Sequence, residues 1–173
     1  GLKTGEDGPT HADPQALQLL QDNFPLGTSI TLTPWDPAEF WPLVSTSLGR
    51  QPALLAPFVT RPTEIILDRE ALGLAPANDA VTGLYLLKKA EGQADGTIVL
   101  QGSEVAYAFI EEALPLLKEK GIDLNVYYVS SAELFNLLTD EQREQIFPEK
   151  HAQSAMGITG FTLPTMNQWI QSR

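Results

Sequence analysis

Positions 5 to 11, "GEDGPTH", hold two acids, two glycines, a proline and a histidine, and no apolar side chain that could join a core. Asp7-Gly8-Pro9 reads as a tight turn, which can hold Asp7 and His11 in register without help from a core. A carboxylate beside an imidazole suits binding of sugar hydroxyls, proton transfer or metal ligation. The plain alternative is an exposed loop whose Glu6, Asp7 and His11 are merely solvated. Metal ligation has little support, because no second histidine stands at ligand spacing. The other histidine, His151 in "PEKHAQSA", reads as a surface-loop residue.

A second group is basic. Arg50, Arg61 and Arg69 are three of only eleven basic residues. Arg61 follows an apolar run, and α/β sheets place ligand-binding groups just beyond strand ends. A guanidinium there can hold a phosphate or carboxylate through a bidentate contact. A salt bridge to Glu64 or Asp68 is the competing role. "ADG" at 94 to 96, with Asn125 downstream, is a decoy for a magnesium-diphosphate motif. Its first glycine is missing and it precedes a strand, so a simple turn is the reading. "GSE" at 102 to 104 offers amides to an anion, although Glu104 would compete for the same helix end.

The elements that must position these groups follow from periodicity and punctuation. Asp13 and Pro14 open a short amphipathic helix with Leu17, Leu20 and Phe24 on one face. "TSITLTP" reads as a strand. "WDPAEFWPLVSTSLG" repeats the Asp-Pro opening at Asp36, with Pro42 expected to keep the helix short or bent and Gly49 past its end. "PALLAPFVT" reads as a strand covered on both faces, and residues 68 to 80 as a linker. Beyond it, "GLYLLKKA", "GTIVLQ" and "IDLNVYYVS" read as strands. "GSEVAYAFIEEALPLLKEKG" is a long helix between the last two, with Val105, Phe109, Leu116 and Leu117 on its apolar side, so residues 97 to 130 form a parallel β-α-β unit. "SAELFNLL" and "DEQREQIF" are short helices, the second capped by Thr139. Thr165 is placed to open another, with Met166, Trp169 and Ile170 on one face. The fold class is α/β, in two parts divided near residue 75.

Composition sets the outer limits. The 173 residues carry 22 acidic against 11 basic side chains, a net charge of −11. Such a surface repels nucleic acid and anionic membranes. No apolar run approaches the roughly 18 residues of a membrane span, no secretory leader is legible, and there is no cysteine. A soluble, cytoplasmic domain is the expectation, and the polar opening and bare ending suggest a piece of a longer protein.

"GEDGPTH" followed by "GSEV" at 102 to 105 resembles the C-terminal part of transketolase, and "GITGFTLPTMNQWI" resembles the terminal region of bacterial members. The resemblance implies that residues 1–75 are the end of a pyrimidine-binding domain. Residues 76–173 would be a Rossmann-like C-terminal domain, truncated at its end. It implies Asp7 and His11 as contacts to substrate hydroxyls, with His11 also the catalytic group, and Arg61 as the phosphate-binding residue. The parent reaction would move a two-carbon ketol unit between sugar phosphates in the pentose phosphate pathway, using thiamine diphosphate and magnesium in a homodimer. Those cofactors would be held by the N-terminal part of the polypeptide or a partner subunit, so no cofactor or metal site is expected in this chain and no activity from it alone. Deoxyxylulose-phosphate synthase and the β-type subunits of 2-oxoacid dehydrogenases share this domain order. A freestanding, non-catalytic binding module is the alternative of another class.

Overall fold

The computed structural model describes residues 13–171. Two parallel strands come first, β1 (Ser29–Leu32) and β2 (Leu54–Pro57), preceded by α1 (Gln15–Asn23) and joined through α2 (Phe40–Gly49). A four-stranded sheet follows, made of β3 (Leu84–Lys88), β4 (Gly96–Gln101), β5 (Leu124–Val129) and β6 (Ala155–Thr159). Its order is β3-β5-β4-β6, with β3 antiparallel to β5 and the other pairs parallel.

Strand alternation explains why this second sheet has two covered faces. Ile98, Leu100, Val126 and Tyr128 enter one buried cluster, while Val99, Tyr127 and Val129 enter another. The first cluster also contains Ile30, Leu32, Trp35 and Leu43, so the first half of the chain covers one face of the second half's sheet. Helices α5 (Ala132–Asn136), α6 (Asp140–Ile146) and α7 (Glu149–Gln153) and the C-terminal segment cover the other face, with Phe135, Phe147 and Trp169 in contact. Each such large apolar side chain contributes roughly 1.5–3 kcal/mol on burial. Gly83 is the tight point, with φ +83° and a β-carbon position only 2.3 Å from the Ser131 carbonyl oxygen. Only glycine lets the chain enter β3 beneath α5 there.

Between β4 and β5 run α3 (Ser103–Ala108), a π-helical turn (Phe109–Ala113) and α4 (Leu114–Glu119) without a break. The Leu114 amide bonds to the Phe109 carbonyl, and Pro115, which has no amide hydrogen, follows at once. The extra residue in that turn rotates the helix face downstream. Leu116, expected inside, is therefore 56% exposed, and Ile110 is buried in its stead.

Other expectations also need correcting. β2 is half-buried rather than covered on both faces, with Leu55 packed against the first core and Pro57 exposed. Gly49 is the last residue of α2, not the residue beyond it. Residues 68 to 80 are no loose linker, since Leu74 and Ala80 are buried. Among the described residues no α-helix follows Thr165. A 3-10 turn (Leu163–Met166) brings Met166 and Trp169 into the second core, and the Thr165 hydroxyl donates to Gln101 Oε1 at 2.7 Å. Strand β6 was not legible in the sequence. It is short and has Gly157 at its centre, where a β-carbon would lie 2.8 Å from Met166 Cε.

Candidate functional site

The C-terminal ends of β1 and β2 open onto a cleft of about 420 Å³, lined by Trp35, Asp36, Trp41, Thr60, Pro62 and Ser103 among others. The position follows from topology, since parallel strands leave their loops and the following helix N-terminus at one end. Ser103, the first residue of α3, is buried, and its hydroxyl has no hydrogen-bond partner among the described residues. Arg61 is exposed on the loop that leaves β2, four residues beyond Pro57.

Below the cleft lies a buried polar network. Asp36 accepts from the Ala38 amide at 2.7 Å and so caps a 3-10 turn (Pro37–Glu39), as its place before Pro37 predicts. Its other oxygen meets Arg69 Nε at 3.0 Å. Arg69 Nη2 reaches Glu39 Oε1 at 2.8 Å, Nη1 donates to the Ala75 carbonyl at 3.0 Å, and the guanidinium lies 4.6 Å from the Trp35 ring centre. Tyr85 donates to Glu39 Oε1 and accepts from Trp35 Nε1 at 2.8 Å. The Trp35 amide bonds to Glu39 Oε2 at 3.1 Å. Burial pushes the Glu39 carboxyl up to about 7, with Arg69 pulling the other way. Burial and the charge of Glu39 raise Tyr85 well above the usual phenol, so it remains a donor.

Asp7 and His11 lie outside the described residues. The three arginines have different fates: Arg69 is committed to Asp36 and Glu39, Arg50 is exposed at the end of α2, and Arg61 is exposed on its loop. His151 sits half-buried on α7 rather than in a loop, with Nδ1 2.7 Å from the Tyr127 hydroxyl, and burial and then Lys150 lower its pKa. The "ADG" segment is a turn: the Asp95 carboxylate accepts from the Asp123 amide at 2.8 Å. Asn125 accepts from the Ala90 amide at 3.1 Å. Among the described residues, no three of His, Cys, Asp and Glu gather where a metal ion could be held. Asp95 and Asn125, each accepting from a backbone amide, do not fit magnesium and a diphosphate. Among the same residues no helix is long and apolar enough to cross a membrane.

Sequence reasoning missed the network. Asp36 and Glu39 stand at i and i+3 beside a tryptophan, and that spacing was the available signal. Their partners Arg69 and Tyr85 are too distant in sequence to be paired by eye.

The architecture is that of a mixed α/β protein whose second unit is a Rossmann-like β-α-β domain. Residues 83–172 match the transketolase-like C-terminal domain family, and the chain belongs to the transketolase family. Transketolase 2 of Xanthobacter flavus is 31% identical over 150 residues, which cover 84% of this chain and 20% of that protein. The transketolase of Leishmania mexicana superposes with a TM-score of 0.76 at 18% identity, over 98% of this chain and 24% of that one. A Pichia stipitis transketolase mutant, solved with fructose 6-phosphate, gives 0.73 at 23% identity, over 92% and 22%. The chain thus spans about a fifth of the length of the relatives it matches. Those relatives are transferases.

Proposed function

We propose that this chain is the C-terminal segment of a thiamine-diphosphate-dependent transketolase, which transfers a two-carbon ketol unit between sugar phosphates. Residues 1–75 would close the pyrimidine-binding domain and 76–173 would form the C-terminal domain. The observation that carries this reading is the extent of the Xanthobacter match, which at 150 residues runs well past the C-terminal domain and into the half that contains "GEDGPTH".

In this reading Asp7 recognises a substrate hydroxyl, while His11 hydrogen-bonds the transferred fragment or moves a proton. Arg61 holds the phosphate. Its place on a loop beyond a parallel strand, next to an open cleft, supports that role. A sugar phosphate is also what the Pichia stipitis protein was solved with. Thiamine diphosphate, when bound, supplies the covalent chemistry. It and magnesium would be held by the remainder of the parent polypeptide or by a partner subunit in a cytoplasmic homodimer, so the chain alone is expected to turn nothing over.

The test is an assay of the full-length enzyme with xylulose 5-phosphate and ribose 5-phosphate, set against pyruvate and glyceraldehyde 3-phosphate. Turnover only with pyruvate would sink the proposal. In the same enzyme His11→Ala is expected to lower sugar turnover at least tenfold, about 1.4 kcal/mol in the barrier. Unchanged kinetics would remove His11 from the site.

A further inference from the structure

The loop that carries Arg61 has almost no structure of its own. From Phe58 to Leu67 the chain forms no helix or strand. Its start is tied to β1, where the Phe58 amide donates to the Leu32 carbonyl at 2.7 Å. Its far end is a different case. Ile65 and Ile66 are 74% and 62% exposed, so side-chain burial does not hold them. The Tyr107 hydroxyl ties the backbone there, donating to the Ile65 carbonyl at 2.6 Å, and Leu67 two residues on packs against the first core.

Tyr107 is well suited to fix something else in place. It lies inside α3, is 3% exposed, and its ring meets Trp35 edge-on with centres 5.3 Å apart. Burial and the nearby carboxylates of Asp36, Glu64 and Glu111 raise its pKa, so the hydroxyl keeps its proton at working pH. A second tie comes from the same half of the molecule, for the Phe58 ring meets Phe161, just beyond β6, at 5.8 Å. Both ends of the Arg61 loop therefore rest on the C-terminal unit.

We propose that the C-terminal α/β unit serves the reaction by positioning the Arg61 loop, with Tyr107 as the positioning residue. The proposal rests on the reading of Arg61 as the phosphate anchor. Tyr107 touches no substrate. It sets where the guanidinium stands, and a displacement of about 1 Å in such a clamp is enough to weaken binding.

The experiment uses the full-length enzyme with xylulose 5-phosphate and with unphosphorylated xylulose. Tyr107→Phe removes only the hydroxyl and keeps the ring against Trp35. It is expected to raise KM for the phosphorylated sugar about three- to tenfold, the scale of one lost hydrogen bond, with kcat within about twofold. Kinetics with xylulose should not move. Arg61→Ala should raise the same KM further, and the double variant should be no worse than Arg61→Ala, because one residue acts through the other. Phe161→Leu, at the loop's other tie, should shift KM in the same direction and serves if Tyr107→Phe does not fold. Equal losses with both sugars, additive effects, or an unchanged KM in Tyr107→Phe beside a raised one in Arg61→Ala would overturn the positioning role. An unchanged KM in Arg61→Ala itself would instead remove the phosphate role from Arg61, and the positioning proposal would fall with it.

Discussion

Glu39 and Glu133 are both buried carboxylates that join the first half of the chain to the second, yet their surroundings differ. Glu39 lies beside the cleft and accepts from a guanidinium, a phenol and a backbone amide. Glu133, on α5, accepts from the Thr31 hydroxyl at 2.8 and 2.9 Å and from Ser131 at 3.3 Å. Among the described residues no cation pairs with it. Burial raises its pKa, and the hydroxyl donors only partly oppose that. The cleft side is thus fixed by a charge network with set directions, drawn from α2's approach, residue 69 and β3. The other side is held by hydroxyl donors, with no cation beside the carboxylate among the described residues. The charge network thus lies beside the cleft at the ends of β1 and β2.

Three changes would break or sharpen this contrast. Arg69→Met leaves Asp36 and Glu39 buried without their cation, and is expected to cost about 3–5 kcal/mol in stability by denaturant unfolding. A loss below about 1 kcal/mol would mean that the network contributes little. Thr31→Val keeps the shape but removes the donor to Glu133 and the acceptor for Gln21 Nε2. Its expected cost is smaller, about 1–3 kcal/mol. The third and smallest effect is in pH dependence. With its folded-state pKa raised above the ordinary 4.5, Glu133 keeps its proton in the native protein after the unfolded chain has released it. Its contribution is complete below 4.5 and is lost as pH rises through the folded-state value. Glu133→Gln should therefore gain on the natural protein as pH rises from about 4 to about 8, read as melting temperature. Parallel curves would show that Glu133 does not titrate differently on folding.

Much of the second half was legible. β4, the long helix and β5 carry strong periodicity and clear ends: the Gly121 and Ile122 amides close on Lys118 and Leu117. Thr139 and Gln142 form the capping box that their spacing foretells. Local signals failed where one residue changes the phase, as the π turn does for Leu116, and where strand character comes from neighbours, as in β6. The cleft was half legible. The apolar run before residue 58 marked the strand end where it opens, whereas Ser103 showed only as part of a common β-α turn.

By itself the sequence determined the α/β class, the principal strands and helices, the acidic balance and the family. Those properties rest on contacts between residues a few positions apart and on composition, which a linear reading captures. Tertiary structure alone decided that Arg69 is a buried partner of Asp36 and Glu39 rather than a ligand group, and that Tyr107 reaches the Ile65 carbonyl. Each joins residues thirty or more positions apart. Such partners meet only when the two halves of the chain close over one core, and burial then decides which charges must be neutralised there and which stay at the surface.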